Sequence, residues 1–245
     1  MGDFQDENAY GSHEDSSLSN HLTTRDVPVE IVHTALLFID VQNFCAVRNG
    51  SEFKDLSPQE FEAKHGYFFD ELEKRVVPNM QRLQAGCRAA GVEVMYTLIR
   101  NLTRDGRDRS LDYKITGFSV PPGSWDGEVI DAIKPLDDEI VIPKTASNVF
   151  CSTNIDYILR NLGTKYLVIS GVVTDQCVEG AVRSACDIGY LVTLITDACA
   201  TGSRERHENS LRAIKGYCRQ RTTDEFLAEI DALSRAGAKK SRSRD

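Results

Sequence analysis

The sequence predicts an α/β protein of three layers (α/β/α), with a parallel sheet of about five or six strands lying between two layers of helices. Two observations carry that prediction. Short apolar runs alternate with helical stretches from about residue 34 to residue 234, and repeated βα alternation of this kind builds parallel sheets. The runs hold Val, Ile and Leu on successive positions, which is the pattern of strands covered on both faces. A chain of 245 residues with 41% hydrophobic content can bury one sizeable core, so a single domain is expected over residues 29–234.

The elements follow in chain order. Strands are expected near 34–39, 92–98, 139–142, 165–170 and 190–196. Helices are expected near 67–90, 125–133, 152–162, 176–188, 204–216 and 222–234. Gly91 and Gly189 stand where helices stop ahead of apolar runs. Ser152, Thr153, Asn154 and Asp156 offer cap-forming side chains before a helical stretch that ends at Gly163. Two stretches, 44–66 and 100–124, are longer than ordinary βα connections. Both leave the carboxyl end of the sheet, where long loops roof pockets.

Charge is unevenly placed. The net charge is −8, residues 1–30 carry seven acids against Arg25, and residues 235–245 carry five bases against Asp245. Residues 1–28 read as a disordered acidic arm and 235–245 as a flexible basic tail. The body between them is acidic, which gives no field for nucleic acid. No apolar run reaches the roughly 18 residues of a membrane helix, and the N-terminus lacks the pattern of a secretory signal. Seven cysteines, an odd number without CxxC spacing, fit reduced thiols better than a disulfide framework. The expected location is cytoplasmic.

The chemistry concentrates at three strand ends. Cys177 lies in Gly171-Val172-Val173-Thr174-Asp175-Gln176-Cys177-Val178-Glu179, after an apolar run and before a helical stretch. A thiol at a helix start faces the positive end of the dipole, which favours thiolate. Leu36-Leu37-Phe38-Ile39 ends in Asp40-Val41-Gln42-Asn43, and Ile140-Val141-Ile142-Pro143 ends in Lys144. Carboxyl ends of parallel strands converge on one crevice, so acid, cation and thiol form a testable set.

With these motifs the chain resembles the isochorismatase-like cysteine hydrolases over about residues 30–230, a family whose triad is Asp, Lys and Cys in that order. The resemblance implies a Rossmann-like α/β fold and catalytic roles for Asp40, Lys144 and Cys177. The turn before the helix places the backbone N–H groups of Thr174 and Cys177 as an oxyanion hole, and the resemblance implies a non-proline cis peptide at Val173–Thr174. Gln42, Asn43, Arg100, Trp125 and Phe150 are the candidate substrate contacts, and Arg104, Arg107 or Arg109 are further candidates for a carboxylate clamp. No cofactor is expected. Nicotinamidases of the superfamily hold zinc through an Asp-x-His and a further His, and residues 98–104 hold none of these, so no metal is expected.

Retention of Cys177 points to covalent chemistry at a carbonyl, closest to the ureidoacrylate and N-carbamoyl amidohydrolase branch. The expected activity is hydrolysis of a C–N bond in a small amide or ureido substrate. The alternatives are vinyl ether hydrolysis of the isochorismatase type, and a noncatalytic binding protein or thiol redox sensor with Cys151 or Cys199 as a resolving partner. A homodimer or homotetramer is expected, as is usual in the family.

Overall fold

The structure, a computed structural model, describes residues 25–242, with side chains to residue 236. Six parallel strands form one sheet: β1 (Thr34–Ile39), β2 (Glu93–Ile99), β3 (Ile140–Lys144), β4 (Tyr166–Val172), β5 (Leu191–Ala200) and β6 (Arg219–Arg221). Their spatial order is β3-β2-β1-β4-β5-β6, so β1 and β4 are central. Alternation along the strands divides the core into two layers. Leu36, Phe38, Tyr96 and Val168 pack on one face with α1 (Pro58–Glu71), α2 (Val77–Ala90) and the last helix. Leu37, Ile39, Leu167 and Ile169 pack on the other, beneath the helices that follow β3, β4 and β5.

Helix α1 starts earlier than its periodicity suggests. Ser57 accepts from the Glu60 N–H while the Glu60 carboxylate accepts from the Ser57 N–H, and Pro58 fills the first turn. A π-helical turn, Leu72–Val76, joins α1 to α2 just ahead of Pro78. Proline cannot donate to the preceding turn, and the widened turn accommodates it. Inside the second long loop, Ser110 caps a short helix α3 (Leu111–Thr116), and Gly117 ends it with φ 82°. The predicted helix at 125–133 is instead two 3₁₀ turns, Trp125–Gly127 and Asp131–Ile133.

The remaining helices are α4 (Val149–Ser152), α5 (Ile155–Asn161), α6 (Glu179–Asp187), α7 (Arg204–Ile214) and α8 (Thr223–Arg242). Pro143 sits within β3, an edge strand whose only partner is β2, so the missing donor leaves no central ladder incomplete. β5 runs to Ala200 because its pairing with β4 shifts register between Ile169 and Gly171 and then resumes at Gly171↔Cys199. β6 is an Arg-Gln-Arg segment without an apolar pattern.

The terminal boundaries shift. Most of the expected acidic arm lies outside the described residues, but Asp26 pairs with Arg221 and the Val29 N–H donates to Glu229, so the packed body begins near Arg25. Helix α8 continues to Arg242, so residues 235–242 extend a helix where a flexible tail was expected. Among the described residues, no helix is long and apolar enough to cross a membrane.

Candidate active site

Asp40, Lys144 and Cys177 come together at the carboxyl end of the sheet because β1, β3 and β4 all end there. The registers Ile39↔Thr97, Ile99↔Lys144 and Ile39↔Gly171 align these ends. Asp40 follows β1 with φ 57°, the one described non-glycine residue in the left-handed region. That conformation costs an L-residue roughly 1–2 kcal/mol and is best tolerated by Asp and Asn. The kink is held by the Asp40 N–H on the Thr97 carbonyl at 3.0 Å, and by the Gln42 N–H and the Cys45 thiol on the Asp40 carbonyl. On the neighbouring strand Gly171 has φ 141°, and a Cβ there would stand 2.3 Å from the Ile39 carbonyl oxygen. Only glycine lets β4 approach β1 so closely at the site.

Lys144 Nζ lies 2.8 Å from Asp40 Oδ2, with both side chains almost fully buried. The ammonium also donates to Tyr113 Oη at 2.9 Å, to the Ala146 carbonyl at 3.0 Å and to Cys177 Sγ at 3.5 Å. Thr97 Oγ1 donates to Asp40 Oδ1 at 3.1 Å, whereas Oδ2 keeps the ion contact without an aligned donor. Oδ2 is therefore an acceptor with an open lone pair beside a thiol. Ser147 Oγ stands 3.4 Å from Cys177 Sγ.

The electrostatics follow from burial. Desolvation raises Asp40 above the usual carboxylate range, opposed by the Lys144 charge. Burial, the largest single effect, would lower Lys144, but the charges of Asp40, Cys177 and Tyr113 and the Asp40 hydrogen bond together outweigh it and raise the amine. The Cys177 thiol is pushed up to about 11, first by desolvation and then by Asp40, with Lys144 opposing. The helix-start argument predicts a lowered thiol pKa; burial, with a carboxylate in the same site, reverses it.

Cys177 sits in a π-helical turn, Thr174–Val178, ahead of α6. The non-proline cis peptide lies at Val172–Val173, one bond before the expected Val173–Thr174 position. Thr174 is fully buried, its hydroxyl is 2.9 Å from His207 Nδ1, and Ser210 Oγ donates to its carbonyl. Asp175 accepts from Thr201 Oγ1 and Arg206 Nε at 2.6 Å each. The turn is thus anchored to α7 and to the end of β5 on two sides.

A cavity of about 220 Å³ opens above Asp40 and Cys177. Phe53, Phe68, Ile99 and Phe118 line its apolar walls, and Glu52, His65, Gln176 and Arg206 bring polar groups to it. The first long loop supplies Cys45, Glu52 and Phe53, helix α1 supplies His65 and Phe68, and the second long loop supplies Phe118. The expected substrate contacts lie elsewhere. Gln42 donates to the Ile99 and Asp126 carbonyls and accepts from the Ile99 N–H, which clamps β1 to β2, and Asn43 donates to the Trp125 carbonyl. The Trp125 ring is largely exposed, Phe150 packs against Tyr190, and the Arg100 side chain lies against Gly127. Arg109 donates to the Gly106 and Phe118 carbonyls, and Arg107 pairs with Asp105. None of these residues lines the cavity, nor does Arg104. Cys151 is exposed and Cys199 is buried, while Cys45 is the second thiol on the cavity wall.

Sequence reasoning missed Tyr113, Ser147, Thr97 and His207. The signal for Tyr113 was the Ser110 cap with Gly117 beyond it, which marks a helix inside a presumed loop. Thr97 and His207 act through distant partners and leave no local pattern.

The comparisons with known proteins agree with this architecture. The isochorismatase domain model matches residues 34–225. A ureidoacrylate amidohydrolase RutB from Rhizobium rhizogenes is 27% identical over 207 residues, 77% of this chain and 80% of that protein. The RutB of Acinetobacter baylyi is 29% identical, over 75% of this chain and 78% of its own length. The crystal structure of a cysteine hydrolase from Pseudomonas syringae superposes with a TM-score of 0.68 at 22% identity, covering 84% of this chain and 96% of that one. N-carbamoylsarcosine amidase from Thermoplasma acidophilum superposes with a TM-score of 0.60 at 24% identity, covering 78% and 97%. Matched over most of its length by that domain, the chain belongs to the isochorismatase family.

Proposed function

We propose that the protein is an amidohydrolase that cleaves a C–N bond of a small amide or ureido compound through a thioester at Cys177. The observation that carries this reading is the buried contact set of Lys144 with Asp40 Oδ2 at 2.8 Å and with Cys177 Sγ at 3.5 Å, on the floor of a cavity. The relatives named ureidoacrylate amidohydrolase and N-carbamoylsarcosine amidase support the bond type.

The pKa order sets the sequence of steps. A thiol at about 11 is roughly one part in ten thousand ionised at pH 7, so a preformed thiolate would add about 5 kcal/mol to the barrier. Asp40 removes that cost by accepting the thiol proton as sulfur attacks the carbonyl carbon. Lys144 holds the carboxylate in its ionised form and neutralises the developing thiolate. The tetrahedral oxyanion is received by the N–H groups of Thr174 and Cys177. As the C–N bond breaks, Asp40 passes its proton to the leaving nitrogen. Water then attacks the thioester, with Asp40 again as base, and restores the thiol.

A coupled ammonia-release screen over carboxamides, ureido acids, nicotinamide and isochorismate tests this reading. Ammonia release by the wild type and not by Cys177→Ser is expected. Turnover of isochorismate alone, at a rate retained by Cys177→Ala, would replace it with vinyl ether hydrolysis.

A further inference from the structure

The charges around the cavity do not cancel. Asp40 is matched by Lys144, and Arg206 is matched by Asp175 at 2.6 Å. Burial lowers the His65 pKa, with Lys64 adding to the effect, so its ring is neutral at pH 7. Glu52 remains. Among the described residues, no lysine, arginine or histidine forms an ion pair with its carboxylate. Burial holds the neighbouring Cys45 thiol well above the usual range, and the Glu52 charge adds to that effect. Although Glu52 meets solvent at the cavity mouth, enclosure by the walls pushes its carboxyl up to about 7, so it is ionised at pH 8. The aromatic rings of Phe53, Phe68 and Phe118 on the same walls are suited to a cation as well as to an apolar body.

We propose that Glu52 determines specificity, selecting substrates whose end remote from the scissile bond is an ammonium or a similar N–H-bearing cation, and disfavouring substrates that end in a carboxylate. The proposal deepens the amidohydrolase reading by naming a substrate class: a cationic carboxamide or urea with an apolar body. It differs from the expectation of an arginine clamp, since Arg100, Arg104, Arg107 and Arg109 lie off the cavity and Arg206 is held by Asp175.

The test reads charge selectivity at Cys177 without requiring turnover, so its failure and the failure of the amidohydrolase reading are distinguishable. Purified full-length protein at pH 8 is treated with two thiol reagents, 2-(trimethylammonio)ethyl methanethiosulfonate and 2-sulfonatoethyl methanethiosulfonate. Modification of the Cys177 peptide is followed by mass spectrometry, separately from the Cys45 peptide. The cation-to-anion rate ratio is normalised to that of N-acetylcysteine. The wild type is expected to favour the cation by about tenfold, as a single unmatched charge at close range does. Glu52→Gln is expected to cut that ratio about fivefold or more, and Glu52→Lys to bring it below one. Because Glu52 is exposed, both variants are expected to keep the wild-type circular dichroism spectrum. A wild-type ratio at or below one would assign the dominant charge to Arg206 and overturn the proposal. A ratio unchanged in both variants would overturn it as well.

Discussion

Replacing Asp40 by Asn removes the partner of an ammonium that is almost wholly out of water. Lys144 then keeps only the Tyr113 hydroxyl, the Ala146 carbonyl and the Cys177 thiol. Breaking a buried ion pair from one side costs about 3–5 kcal/mol, because the surviving charge stays desolvated. Lys144→Met produces the converse defect, with Asp40 buried beside Thr97 and no counter-charge. Asp40→Asn combined with Lys144→Met removes both charges and is expected to cost about as much as one single variant. Strict additivity would give roughly 6–10 kcal/mol for the double variant, so the coupling is expected at about 3–5 kcal/mol. Urea denaturation of the four proteins at pH 7, with equal slopes, measures it. Each single variant is also expected to lose at least about 100-fold in kcat/KM, since about 1.4 kcal/mol corresponds to tenfold in rate. If the single variants kept wild-type stability, or their effects added within about 0.5 kcal/mol, the buried-pair account would be refuted.

Three further outcomes are expected. Cys177→Ser, which swaps the thiol for a weaker nucleophile, should lose nearly all turnover, while chelators should leave the wild type unaffected; either opposite result in a steady-state assay would contradict the mechanism. The Cys177 thiol rises from 9.0 to about 11 on folding, so the folded state binds its proton more tightly. Stability from this group is complete below pH 9 and is lost as pH rises toward 11, by about 2–3 kcal/mol; Cys177→Ala should lack that loss, and parallel pH–stability curves for the two proteins would count against it. A dimer or tetramer is expected in solution, and light scattering that gave only 27.3 kDa at micromolar concentration would oppose it.

Much of the site was legible because its members sit at the ends of apolar runs, where strand order matters little. Any parallel sheet that places β1, β3 and β4 with their carboxyl ends together brings Asp40, Lys144 and Cys177 into one crevice. The substrate wall was not legible for the opposite reason. Glu52 and Phe118 come from two long loops whose fold depends on contacts far along the chain, such as the Asn43 N–H on the Glu128 carbonyl, and His65 comes from α1. Gln42 and Asn43 sit beside the acid in sequence, yet their amides serve the backbone of other segments. β6 carries no apolar pattern, and its place follows from tertiary pairing with Thr193, Leu194 and Ile195. The reversed thiol pKa also needed three dimensions, because the sequence holds the helix start while only the fold buries the sulfur and brings Asp40 against it.

The central claim, a covalent bond to sulfur, is tested most directly by rapid acid quench of the wild type with the amide or ureido compound that scores highest in the ammonia screen, followed by mass measurement of the Cys177 peptide. An acyl or carbamoyl adduct on that peptide is expected within the first turnover, together with stoichiometric ammonia, and it should be absent in Cys177→Ala. Rapid turnover with no adduct, at a rate that Cys177→Ala retains, would contradict the account.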